Sequence, residues 1–126
     1  MEINRLDHLV LTVADIEATC SFYEKILGLR VVTFGEGHKA LAFGNQKINL
    51  HEHGNEIKPN AKNADTGTGD LCLIADTPLT DVIVHLIQCG IQLESDIIER
   101  TGATGKIRSI YIRDPDGNLL EISNYL

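Results

Sequence analysis

The stretch His8-Leu9-Val10-Leu11-Thr12-Val13 returns in altered form as Asp70-Leu71-Cys72-Leu73-Ile74-Ala75. Both are rich in β-branched and large apolar residues and read as strands, the first extending back to Arg5. Asp15 then offers a side-chain oxygen to the free amides of a following helix, and Thr77-Pro78 opens a second one. From Ile16 to Leu27 the apolar positions Ile16, Cys20, Phe22, Tyr23, Ile26 and Leu27 recur near helical spacing. Leu79, Val82, Ile83, Leu86 and Ile87 do the same in a helix running to Cys89. Gly28 and Gly90 close the two helices with the left-handed residue that ends many of them. One 62-residue offset relates the pairs, from 8 to 70 and from 28 to 90.

Three extended segments follow each helix. After the first come LRVVTF, HKALAF and KINLHEH, separated by turn formers at Gly35 to Gly37 and Gly44-Asn45. After the second come IQLESDII, KIRSIYIR and NLLEISNYL, the last two joined by the tight turn Asp114-Pro115-Asp116-Gly117. The chain therefore reads as one α+β domain over residues 1–126, made of two βαβββ modules joined into a curved mixed sheet with helices outside. Module one covers about 1–53 and module two 70–126. The polar, turn-rich segment 54–69 reads as the loop between them.

With 126 residues, 43% apolar and 23% charged, the composition is that of an ordinary globular protein. No run approaches the roughly 20 apolar residues that span a bilayer, and MEINRLDH has neither an h-region nor a small-residue cleavage site, so the expected address is the cytoplasm. A net charge of −7 argues against nucleic acid. Cys20, Cys72 and Cys89 lack CxxC spacing and read as small buried hydrophobes.

Chemistry enters at the ends of these strands. His8 shares a strand face with Val10 and Thr12, and the matching position in the second half, Asp70, is another metal-capable side chain. Glu121 lies between Leu120 and Ile122, where a buried carboxylate needs a cation or strong donors. Its counterpart is Asn49. His51 follows two residues later on the same face, and it reads either as an imidazole offered to a metal or as a polar strand end. His53 reads as the latter. Ser109, Tyr111 and Arg113 share one face by their even spacing.

DHLVLTVADIEATCSFYEKILGL and SIYIRDPDGNLLEI resemble the two signatures of the vicinal oxygen chelate superfamily, which includes glyoxalase I, the fosfomycin resistance proteins and the extradiol dioxygenases. Within it, INLHE, DLCLI and RTGATG are similar to segments of the glyoxalase domain-containing protein 5 group. The resemblance implies that His8 and Glu121 ligate a divalent metal (Zn, Ni, Mn or Fe), with Asp70 and His51 as further candidates. It places Glu121 as the proton-moving base and Tyr111 at the substrate, beside Asn49 and Arg113. Glyoxalase I has a carboxylate where Asn49 stands, and it and the other two groups have a His at the place of Asp70. The implied activity is that of a metal-dependent lyase of the lactoylglutathione lyase type, whose metal binds two neighbouring substrate oxygens. A glutathione hemithioacetal is the type substrate, with the glycines of RTGATGK letting a loop approach it and Lys106, Arg108 and Arg100 available for its carboxylates. The other readings are a metal-free binding protein, a fosfomycin-type thiol transferase and an extradiol dioxygenase. A homodimer with sites shared between chains is also implied.

Overall fold

The computed structural model describes every residue from Met1 to Leu126 and runs through one order of elements twice. The first unit, Met1–Thr68, holds β1 (His8–Val13), α1 (Ile16–Lys25), β2 (Arg30–Phe34), β3 (His38–Phe43) and β4 (Gln46–Glu52). The second, Gly69–Leu126, holds β5 (Asp70–Ile74), α2 (Leu79–Gln88), β6 (Ile98–Gly102), β7 (Gly105–Arg113) and β8 (Leu119–Tyr125). The α+β class and the βαβββ repeat are therefore as expected. The mixed sheet comes as two hydrogen-bonded ladders of four strands, in the orders β1-β4-β3-β2 and β5-β8-β7-β6. Each first strand finds its parallel partner in its own unit's last strand, and the remaining pairs are antiparallel.

Strand alternation gives every sheet two faces. In the first unit Leu11 and Val13 on β1, Ile48 and Leu50 on β4 and Leu41 on β3 are buried on the face where α1 brings Tyr23. In the second unit Ile110, Ile112, Leu120 and Ile122 form the matching layer under Leu86 of α2. Asp15 caps α1 as read, its carboxylate accepting from Ala18 N at 3.0 Å. Gly28 (φ 70°) and Gly90 (φ 75°) turn the chain out of the two helices, a conformation in which a Cβ would be strained.

Four expectations are corrected. β1 begins at His8 rather than Arg5, since its ladder with β4 starts at the His8–Lys47 pair. Residues 91–97 are not a strand: Ile91 N donates to Leu86 O, finishing the helix end, and only Glu94 N reaches β7, at Tyr111 O. The strand is instead β6, over the segment that reads as a glycine-rich loop, because Gly102 and Gly105 flank a two-residue hairpin at Ala103-Thr104. Cys72 and Cys89 are exposed and Cys20 half-buried. Cys72 is on the helix-free side of an edge strand and Cys89 at a helix end, so neither reaches the packed layer. No helix is long and apolar enough to cross a membrane.

The start of α2 is held from a distance. Pro78 caps it without a side-chain hydrogen bond, and Asn124 of β8 takes over. Asn124 Oδ1 accepts from Leu79 N at 2.7 Å, while its Nδ2 donates to Ala75 O and Thr77 O at 3.1 and 3.0 Å. Asn124→Ala should therefore destabilise the protein by about 2 kcal/mol. Urea denaturation should show a lower midpoint at unchanged slope, with faster hydrogen exchange of the first-turn amides of α2.

Candidate functional site

The helix-free face of the second sheet collects most of the residues singled out for chemistry. β8 contributes Glu121 and Ser123, β7 Ser109, Tyr111 and Arg113, and β5 Asp70 and Cys72. The register sets Cys72 and Tyr111 on either side of Glu121, and Ser109 beside Ser123. Asp70 is opposite Leu119, two residues along from Glu121, a diagonal neighbour roughly 7–8 Å away by backbone spacing.

Glu121 is the end point of a chain of hydrogen bonds. Ser109 Oγ donates to Glu121 Oε2 at 2.5 Å and is 2.7 Å from Ser123 Oγ, which is 3.4 Å from Cys72 Sγ. Both serines are fully buried. An ionised carboxylate only accepts, so the single proton of Ser109 is committed to Glu121, that of Ser123 to Ser109, and the thiol proton of Cys72 to Ser123. Burial pushes the Cys72 thiol pKa up. The Glu121 carboxylate adds to the rise. A thiol kept protonated suits a terminal donor.

Tyr111 and Arg100 reach across the same face. Arg100 Nε donates to Tyr111 Oη at 3.0 Å, and the guanidinium carbon lies 5.8 Å from the Tyr111 ring centre. That hydrogen bond raises the Arg100 pKa further. Beside the pair a cavity of about 390 Å³ is lined by Cys72, Ile74, Arg100, Ile107, Glu121 and Tyr125. Arg113, expected at the substrate, is instead held by Glu94 Oε1 at 3.1 Å and by Gly117 O at 3.2 Å, and so clamps the β7–β8 turn.

The first sheet has a different arrangement. His8 is at the exposed start of β1, its Nδ1 2.8 Å from Asp7 Oδ2, a contact that lowers the Asp7 pKa. Such a carboxylate fixes the ring's tautomer. Asn49 is two residues along the parallel ladder, opposite Val10, and His51 opposite Thr12. Asn49 Oδ1 and His51 Nδ1 are both buried without a hydrogen-bond partner. The connecting segment folds against this sheet and, with it, lines a cavity of about 170 Å³ that includes Thr12, His51, Pro59, Asn60, Asn63 and Asp65. His51 thus faces a loop-lined cavity as well as its own sheet.

Within either unit no three His, Cys, Asp or Glu side chains converge as a metal shell. Each unit instead offers one diagonal pair, His8 with Asn49 and Asp70 with Glu121. The serine relay and the roles of Asp7 and Cys72 did not emerge from the sequence. The even offset of Ser123 from Glu121 was the available signal.

The profile of the Glyoxalase/Bleomycin resistance protein/Dioxygenase superfamily matches residues 5–122. A virulence protein of Salmonella typhimurium is 56% identical over all 126 residues, which cover 88% of its length. Its crystal structure superimposes with a TM-score of 0.98 over the whole of both chains. The glyoxalase domain-containing protein RDO1 of Mycosarcoma maydis is 48% identical over 99% of this chain and 70% of its own length. A lactoylglutathione lyase from Agrobacterium tumefaciens, at 23% identity, has a TM-score of 0.74 over 98% of this chain and 96% of that one, a likeness of fold alone. By extent of match and by architecture, the chain belongs to the glyoxalase/bleomycin resistance protein/dioxygenase superfamily, the vicinal oxygen chelate proteins.

Proposed function

We propose that the protein is a metal-dependent lyase of the glyoxalase type, acting on a small substrate that presents two neighbouring oxygens, with Glu121 as the proton-moving base. The observation that carries this reading is Glu121 itself. One of its carboxylate oxygens is held by the buried Ser109 hydroxyl, and the side chain lines a cavity with apolar walls. A base must be oriented and partly dry to remove a carbon-bound proton, and this carboxylate is both.

The residues available to a divalent ion are, within the first unit, His8 with Asn49 and His51 on the same strand face, and, within the second, Asp70 and Glu121. Asn49 Oδ1 is a buried acceptor with no partner, and His8 has its Nδ1 held by Asp7, which leaves Nε2 for a ligand, so both suit a cation. Nitrogen and oxygen donors of this kind fit Zn²⁺, Ni²⁺, Mn²⁺ or Fe²⁺. Such an ion, when bound, polarises the substrate oxygens. In this reading Glu121 takes the proton from one carbon and returns it to the next, while Ser109 keeps the carboxylate aimed. Tyr111, fixed by Arg100, lies beside it and limits where substrate can sit.

Asn49 favours a second reading. A carboxamide where glyoxalase I has a carboxylate removes a charge from the set, which suits a metal-free protein that binds its small molecule without turning it over.

Protein purified without chelator should contain a divalent metal and convert the methylglyoxal–glutathione hemithioacetal or a related compound. Glu121→Gln should lower that turnover by about 10²-fold or more. If no metal is present, and added Ni²⁺, Zn²⁺ or Mn²⁺ raises neither the melting temperature nor turnover, the lyase reading fails and the binding reading stands. Ser109→Ala should cost roughly 10- to 100-fold in activity while the fold is retained. The dimer expected from the family would sediment at about twice the 13.9 kDa of one chain, and a monomer would sink that part of the reading.

A further inference from the structure

We infer that the cavity of the second unit takes a small carboxylic acid, its carboxylate held by the guanidinium of Arg100 and its reactive end turned to Glu121. The inference rests on the reading of Glu121 as the working carboxylate and adds the chemical class of what it meets.

The placement of Arg100 follows from the strand register. Arg100 is opposite Ile107, whereas Tyr111 is four residues further along β7, roughly 13 Å by strand rise. Their hydrogen bond therefore requires the arginine side chain to run along the open face, across Ser109, and not out into solvent. That path helps to bury Ser109. With Nε given to Tyr111, the two terminal nitrogens are the donors left for a ligand. They form a planar fork whose spacing matches the two oxygens of a carboxylate.

Charge and position together single out the same residue. On these strands Lys106 pairs with Glu99 and Arg113 with Glu94, each at 3.1 Å, whereas Arg100 and Arg108 have no carboxylate partner, and of those two only Arg100 lines the cavity. Arg100 meets a phenol, and no carboxylate lies within ion-pair distance of it. Glu121 lines the same cavity and is near enough to act on Arg100 through its charge. A base and a guanidinium with no carboxylate partner thus share one cavity, whose lining includes the apolar side chains of Ile74 and Ile107.

The walls argue for size and for charge number. A volume of about 390 Å³ is near the low end for small-molecule pockets, enough for a compact acid. A dianion such as a phosphate monoester would bring a second negative charge towards Glu121 with only one guanidinium to offset it. The wall at the hairpin is closely fitted as well. A Cβ at Gly102 would come within 2.9 Å of both Ile107 Cγ2 and Tyr125 Oη. Thr104 N donates to that same Tyr125 Oη at 3.2 Å, which fastens the hairpin tip beside Arg100.

The test is a titration of the full-length, metal-free protein, followed by amide NMR, with the monocarboxylic acids pyruvate, 2-oxobutyrate and 2-oxovalerate and with the neutral amide of each. At least one acid should bind saturably, with shifts centred on β6, β7 and β8, and its amide should not. Arg100→Gln should weaken that binding about tenfold or more, and Arg100→Lys should recover part of it. A spectrum unchanged away from the cavity establishes that the variants are folded. If no acid saturates, if an amide binds as well as its acid, or if Arg100→Gln binds as well as the parent, the inference is overturned. Because no metal and no turnover enter the titration, the two readings fail separately. Arg100-dependent binding without metal or lyase activity removes the lyase reading alone, and lyase activity unaltered in Arg100→Gln removes this inference alone.

Discussion

In each unit the last strand lies parallel against the first, and the rest of the molecule depends on that pairing. Parallel neighbours need a long connection between them, here the helix and two further strands of the same unit. The pairing also fixes register, and register fixes which side chains meet the helix and which are left on the open face. His8 and Asn49 in one unit, and Asp70 and Glu121 in the other, stand in the same diagonal relation because the same pairing was used twice. The division of labour between the faces follows. One face is spent on a layer of leucine, isoleucine and valine, and the polar residues that the core cannot accept are gathered on the other.

Much of this was legible from spacing alone. The 62-residue offset, the helix stripes and the glycines behind them need only local rules, and strand alternation is enough to put Ser109, Tyr111 and Arg113 on one face. What escaped is what distant partners decide. RTGATG reads as a loop because its glycines and threonines are turn formers, but pairing with β7 makes a strand of Ile98–Gly102 and leaves only Ala103-Thr104 to turn. Residues 54–68 have no apolar periodicity, so nothing local shows that they fold back over Thr12 and His51. Asn124 looks like a strand-end polar residue until the bare start of α2 appears beside it.

The candidate site was half legible for a related reason. Residue type and strand face could nominate Glu121, but not the two hydroxyls and the thiol aligned behind it, since each belongs to a different strand or a different position on it. Arg113 was nominated for substrate by its face, yet Glu94, in the irregular segment that replaces the expected strand, takes it first. Arg100 was named for carboxylates together with Lys106 and Arg108, and only the pairing of β6 with β7 set it apart on the open face beside the cavity. Electrostatics and position sort such residues in a way that composition cannot: the informative cation is one that lines a cavity and has no acid beside it.

β8 serves two sites with alternate residues. Glu121 and Ser123 point to the open face, while Asn124, the next residue along, holds the start of α2. A shift of one residue in this strand would turn the carboxylate into the apolar layer and strip the helix of its support at the same time. The lineage is therefore free to retune this strand by exchanging side chains in place, but hardly by inserting or deleting a residue within it. Changes of length are left to the segments between the strands.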